Sequence, residues 1–392
     1  MTPTVEHPLD LRRDLDAQGV PRRWPVGEWG RALAVLAERR RDGRDGEWPD
    51  ELEAAIEGLL RATLRFARPG GAPVFAPEGA RPEVAAALRF WADRLSDPAL
   101  SAVLARWSPG KKGVHGAPSL PAFACDDRPL AMLRADWSPR GDWLAIDHRE
   151  PASCLVELAG LGQPWLGPSW SLGPELDPKG PPRPALWRTD SRADLAEWSF
   201  RTPIGRVTRT AVLLRGRRLA LLADQVDGNL DEPTARLALA AGVAAVPALD
   251  NRALILSAGR GRSARVYPLG LPWPGSTTDR GRIGVEGGEL VLRQKAQGRR
   301  CWLPWLVSWG ADRNRRTTRW RTLTVAERSK ACPPDVAFAA RIAWGDGESL
   351  VVYRSLARPA LRSFLGHQTG ARFLVGLFTW AGDVHPLLTV ED

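Results

Sequence analysis

Asp147-His148-Arg149-Glu150-Pro151-Ala152-Ser153-Cys154-Leu155-Val156-Glu157-Leu158, continued by Gly162-Gln163-Pro164-Trp165-Leu166, is the stretch on which the reading of this chain turns. Apolar residues around it follow a strand pattern, and Asp147, His148, Arg149 and Glu150 interrupt that pattern with consecutive ionisable groups. A strand that only packs into a sheet seldom needs so much charge, so the run reads as a strand that carries an active site.

Upstream of it the periodicity is helical. Leu52, Ala55, Ile56, Leu59, Leu60 and Thr63 form one stripe, with Pro49 suited to its first turn and Pro69-Gly70-Gly71 ending it. Val84, Leu88, Trp91, Ala92 and Leu95 make a second stripe after Pro82. Asp97-Pro98 then reads as N-cap and first helical residue of a helix through Leu100, Val103, Leu104 and Trp107. The Pro- and Gly-rich stretch from Ser108 to Pro121 marks a domain boundary, and the helical period disappears beyond it.

Downstream the chain reads as short β runs. Val207 to Leu214 and Leu219 to Ala223 flank a turn, as do Leu254 to Ser257 and Ala264 to Leu269, and Ile283 to Glu286 and Leu290 to Arg293 enclose Gly287-Gly288. Ala337 to Ala343 faces Leu350 to Arg354, and Phe373 to Phe378 pairs naturally with Leu387 to Val390. The expected fold is α+β and multidomain: a short α-helical domain over residues 1–118, then a large antiparallel sandwich over 119–392.

The quoted stretch resembles the signature that opens the β-sandwich of heparinase II/III-like polysaccharide lyases: His-Ala-His-Ala-Asp, a strand containing Glu-Leu, then Gly-x-Pro-Leu-Leu. His148 matches the first His, whereas Glu150 stands for the second His and Ala152 for the Asp. Arg68-Pro69-Gly70-Gly71-Ala72-Pro73-Val74-Phe75 resembles a connection between helices in the toroid of the same families. The resemblance implies a toroid-like helical domain followed by a β-supersandwich. It further implies binding of an acidic polysaccharide in a cleft between the two, with β-elimination as the candidate chemistry. A catalytically inactive glycan-binding or scaffold protein of the same fold is the alternative, favoured by the loss of the second His and the Asp.

Elimination from a uronate needs a base for the C5 proton, an acid for the leaving oxygen, and a cation or amide to neutralise the carboxylate. The resemblance makes His148 the catalytic or carboxylate-neutralising group, against the competing reading of a strand-start His bonded to backbone. Arg149 and Glu150 are candidate substrate contacts, with Trp165 and Trp170 as sugar-stacking rings. Tyr267 and Tyr353, the only tyrosines, sit in β patterns and read as sheet residues rather than as the lyase Tyr. Trp302-Leu303-Pro304-Trp305 alternates poorly, which leaves one exposed ring as an alternative to the favoured reading, packing in the sandwich core. Arg313, Arg315, Arg316, Arg319 and Arg321 read as a solvated loop between strands, with an anion-binding loop as the alternative.

No metal and no cofactor are expected. The family's sandwich metal site is not reproduced here, the four cysteines form no paired motif and read as buried thiols, and Asp126, Asp127, Asp136 and Asp142 lack calcium-loop spacing. A formal charge of +10 favours an acidic partner. Yet the positive charge is nearly all Arg, with Lys only at Lys111, Lys112, Lys179, Lys295 and Lys330, a bias that a GC-rich coding sequence explains. Nucleic acid is accordingly the weaker partner class, since charge alone supports it. No apolar run approaches the roughly 20 residues of a membrane span. With no secretory signal visible, the expected location is the cytoplasm, or the periplasm if an export leader has been removed.

Overall fold

Helix signals and strand signals segregate in space as they do along the chain. The computed structural model describes residues 11–43, 48–76, 82–107, 121–151, 153–248, 253–259, 261–272, 279–345 and 347–391. The helices Trp29–Arg41, Asp50–Arg65, Pro82–Arg94 and Pro98–Trp107 come first. Asp97 caps the last of them, its Oδ1 accepting from Ala99 and Leu100 N–H at 2.8 and 3.1 Å. These helices amount to part of a toroid. The expected linker at 108–120 lies outside the described residues, and the first strand begins at Phe123.

Among the described residues the strands form two sheets of eight, one of five and one of four, antiparallel throughout. The hairpins read from the sequence form as expected, including Gly281–Glu286 with Glu289–Gln294, where Gly287 and Gly288 take φ of 57° and 82°. Which hairpins share a sheet was not legible: Thr234–Leu239 crosses over to join Gln163–Leu172 to Glu289–Gln294.

Alternation along each strand sorts side chains into stacked cores. Leu130 and Met132 face the helices, whereas Ala131 and Leu133 face the second sheet. The same rule places Ala340 and Ile342 of the third sheet against the second, and Ala337 and Ala339 toward the fourth. The first two sheets are thereby covered on both faces, which makes their strands apolar on both sides. Both Trp302 and Trp305 are consequently buried, as core packing requires and against the alternative of one exposed ring: Trp302 enters the core between the second and third sheets, and Trp305 the core between the first and second.

Candidate functional site

The strand Trp143–Glu150 lies between the helices and the second sheet, and alternation decides what its polar residues meet. Trp143 and Ala145 face the helices, so Leu144, Ile146 and His148 point into the sandwich. His148 is 2% exposed, with its imidazole edge-on to Phe200 of the second sheet at 5.3 Å between centroids. Its bond to the Pro151 backbone leaves Nδ1 without a partner among the described residues. Burial, reinforced by the charge of Arg209, pushes the imidazole pKa down to about 2, so the ring is neutral.

Behind His148 lies a buried ion pair of the second sheet, tied to the first sheet through Trp170. Arg209 Nε donates to Asp224 Oδ1 at 2.8 Å, Trp170 Nε1 donates to Asp224 Oδ2 at 2.8 Å, and the guanidinium lies 4.3 Å from the Trp170 ring centroid. Cys154, also buried here, has its thiol pKa pushed up to about 11 by burial. Trp165 is packed in the same core. Neither Trp165 nor Trp170 offers a ring face to solvent, because the strand Gln163–Leu172 is covered by the second sheet where the sequence pattern suggested a cleft.

Arg149 points the opposite way. It pairs with Asp147 at 2.7 Å, and Nη1 and Nη2 donate to the carbonyls of Pro21 and Trp24 at 3.1 and 3.2 Å. His148 and Arg149 are thus on opposite faces of one strand, and no common cleft contains them. Glu150 is exposed at the turn into Ser153–Gly160. The Glu-Leu of the quoted stretch serves the fold instead, since Glu157 grips Arg68 of the interhelical loop through Oε1 and Oε2 at 2.6 and 2.8 Å, and takes the Phe75 N–H at 2.8 Å.

Tyr267 and Tyr353 are both buried sheet residues, as expected. Cys125, Cys154 and Cys301 are buried free thiols, whereas Cys332 is half-buried. Asp16, Cys125 and Asp127 come within ligand distance of one another. Arg128 pairs with both carboxylates, and burial pushes the Cys125 thiol up to about 12, so the thiol is protonated and the carboxylates are already spent on a guanidinium.

The arginine run is a loop only in part: Arg315 and Arg316 lie in an exposed turn, whereas its two ends belong to regular elements. Ala311–Asn314 is a helical turn, Arg313 binds Glu348, and Thr318–Thr322 is the edge strand of the third sheet. Trp320 packs inward while Arg319 and Arg321 face out. Arg321 stands directly opposite Arg341 on the neighbouring strand, and Arg341 lies over the Phe378 ring at 4.4 Å. Two residues on, Trp380 is 99% exposed at a hairpin tip. Among the described residues no carboxylate pairs with Arg319, Arg321 or Arg341. The missed signal was alternation itself: Thr318-Arg319-Trp320-Arg321-Thr322 has the period of a strand.

No family model and no curated protein matches this chain. Solved structures do. A mutant of the heparan sulfate lyase HepC from Pedobacter heparinus superposes with a TM-score of 0.69 at 13% identity, over 90% of this chain and 61% of that one. The fold is that of the heparinase lyases. A heparinase III gives 0.65 at 10% identity, over 89% of this chain and 62% of its own. The chain thus carries a heparinase-like fold while spanning about 61% of the length of the HepC structures.

Proposed function

We propose that this chain binds an acidic polysaccharide without cleaving it. The observation that carries the reading is the arginine cluster of the third sheet, with Arg319 and Arg321 exposed, Arg341 half-buried over Phe378, and Trp380 exposed at the hairpin tip that follows Phe378. Like charges directly opposite one another on a sheet destabilise it, and burial together with Arg321 lowers the Arg341 pKa. A polyanion laid across the face relieves that repulsion, with guanidinium groups meeting sulfates or carboxylates and the Trp380 ring free to stack on a sugar. Protection of a sheet edge by charge accounts for arginines on Thr318–Thr322. It does not account for Arg341, which stands on an interior strand.

Absence of cleavage follows from the surroundings of His148. A general base must come within hydrogen-bond reach of the substrate proton, and this imidazole lies inside the sandwich, next to the Arg209 cation. The test combines retention on immobilised heparan sulfate with ultraviolet detection of unsaturated uronate ends. Retention that falls in Arg321→Ala/Arg341→Ala, with no new absorbance, is the expected result. Absorbance that appears with the unaltered protein and vanishes in His148→Ala would overturn the non-cleaving reading, and unchanged retention in the double variant would overturn the binding face.

A further inference from the structure

An edge strand offers unpaired N–H and C=O groups to any second chain, and most edges of these sheets are blunted against it. Among the described strands, Phe123–Ala124, Lys330–Ala331 and His367–Thr369 are edges of two or three residues, and the edges Ala244–Pro247, Arg183–Thr189 and Val384–Val390 each contain a proline. Thr318–Thr322 carries only positive charge, which repels a copy of itself. Gly281–Glu286, the last strand of the first sheet, has none of these defences. It is six residues long, holds no proline and carries one charge of each sign.

Half of the backbone groups of this strand are used within the chain. Lys295 N–H donates to the Arg280 carbonyl at 2.9 Å, and antiparallel bonding alternates from residue to residue. Arg282, Gly284 and Glu286 therefore bond to the strand Glu289–Gln294, whereas the N–H and C=O groups of Ile283 and Val285 point away from it. Val285 is 37% exposed, and a Cβ at Gly284 would meet no atom within 4 Å, so no described residue covers the middle of the strand. The charges of the hairpin are also poorly matched. Arg282 stands directly opposite Arg293, and Glu286 opposite Glu289, like charges that weaken a sheet. Glu286 is compensated by Arg293 and Arg236, but Arg282 has no ion pair among the described residues.

We infer that Gly281–Glu286 pairs antiparallel with the same strand of a second copy of this chain, Gly284 facing Gly284 across a two-fold axis. Registers centred on Ile283, Gly284 or Val285 all bring outward-pointing backbone groups together. Only the one centred on Gly284 sets Arg282 against Glu286 of the second copy, since the other two set Arg282 against a glycine. In that register the backbone groups of Ile283 bond to those of Val285, and the two apolar side chains meet on one face. Each Arg282 gains the carboxylate that its own hairpin does not place opposite it. The contact is isologous and small, so the dimer exchanges with the monomer. It does not depend on the polysaccharide reading.

Sedimentation velocity on the full chain tests it, at concentrations up to about 100 µM, where a contact of this size becomes populated. The sedimentation coefficient is expected to climb with concentration from monomer toward dimer. Arg282→Glu sets carboxylate against carboxylate in the dimer, while within its own hairpin the new carboxylate faces Arg293. Association should weaken tenfold or more with the fold intact, which circular dichroism checks. Glu286→Arg should do the same by setting guanidinium groups together. Mixed in equal amounts, the two variants are complementary at both ends of the paired strands, and the dimer should return. Arg282→Glu alone remains readable if Glu286→Arg fails to fold. An unaltered chain that stays monomeric throughout, or variants that associate as it does, would overturn the inference, and a mixture of folded variants that stays monomeric would overturn the register centred on Gly284.

Discussion

Arg68 and Glu157 join the interhelical loop to the first sheet through two parallel hydrogen bonds of 2.6 and 2.8 Å. Glu157 belongs to the Glu-Leu of the quoted stretch, and the pair works as a latch. Glu157 is buried and also holds the Phe75 N–H, so its charge is satisfied on both oxygens. Arg68 turns its remaining donor capacity to the Ala76 carbonyl.

Glu157→Gln removes the charge and one acceptor while keeping the shape. A hydrogen bond to a charged group contributes about 1.5 to 3 kcal/mol, and Arg68 is partly exposed, so a loss of about 2 kcal/mol is expected. Urea denaturation followed by far-ultraviolet circular dichroism reads it, and an unchanged midpoint would show that the latch contributes nothing.

The Arg209–Asp224 pair is a stricter case, because both side chains are buried and Trp170 shares the carboxylate. Asp224→Asn leaves a guanidinium uncompensated, with an expected cost of about 3 kcal/mol or more. The double replacement Arg209→Met with Asp224→Leu is expected to be much better tolerated than the single one, since it removes both desolvated charges. A double variant as unstable as the single would point to packing around Trp170, not charge, as the cause.

His148 gives the stability a pH dependence of defined sign. In the unfolded chain the imidazole takes up a proton near 6.5, whereas in the fold it does so only at about 2. The stability contributed by the neutral ring is therefore complete above about pH 6.5 and is lost as pH falls from there toward 2, by at most about 1.4 kcal/mol per pH unit. Against the unaltered chain, His148→Phe should show a shallower fall in stability between pH 7 and pH 4. Parallel curves for the two proteins would mean that the ring is protonated in the fold.

Gly160 is where the strand Ser153–Gly160 passes the indole of Trp309. A Cβ at this position would lie 2.1 Å from Trp309 Nε1, which donates to Asp142 at 2.9 Å. Overpacking of this kind costs about 1 to 3 kcal/mol. Gly160→Ala should lower the melting temperature measured by calorimetry, and tryptophan fluorescence should report the displaced indole. A melting temperature equal to that of the unaltered chain would mean that the indole shifts freely.

The sequence by itself determined the two halves of this protein and most of their elements. Helical stripes such as Leu52, Ile56 and Leu59, the Asp97-Pro98 cap and the Gly287-Gly288 turn act over a few residues, so local propensity and period suffice to place them. The resemblance of the 147–166 stretch likewise pointed to the heparinase-like fold that the superpositions show. Only the tertiary structure decided which face of each strand is covered, because that depends on which hairpins share a sheet and on what is stacked above them. Sheet stacking put His148, Trp165 and Trp170 into a core and turned Arg149 and Glu157 toward the helical segment. It also left Arg319 and Arg321 in solvent on an edge strand, where the arginine run had suggested a loop, and set them beside the half-buried Arg341.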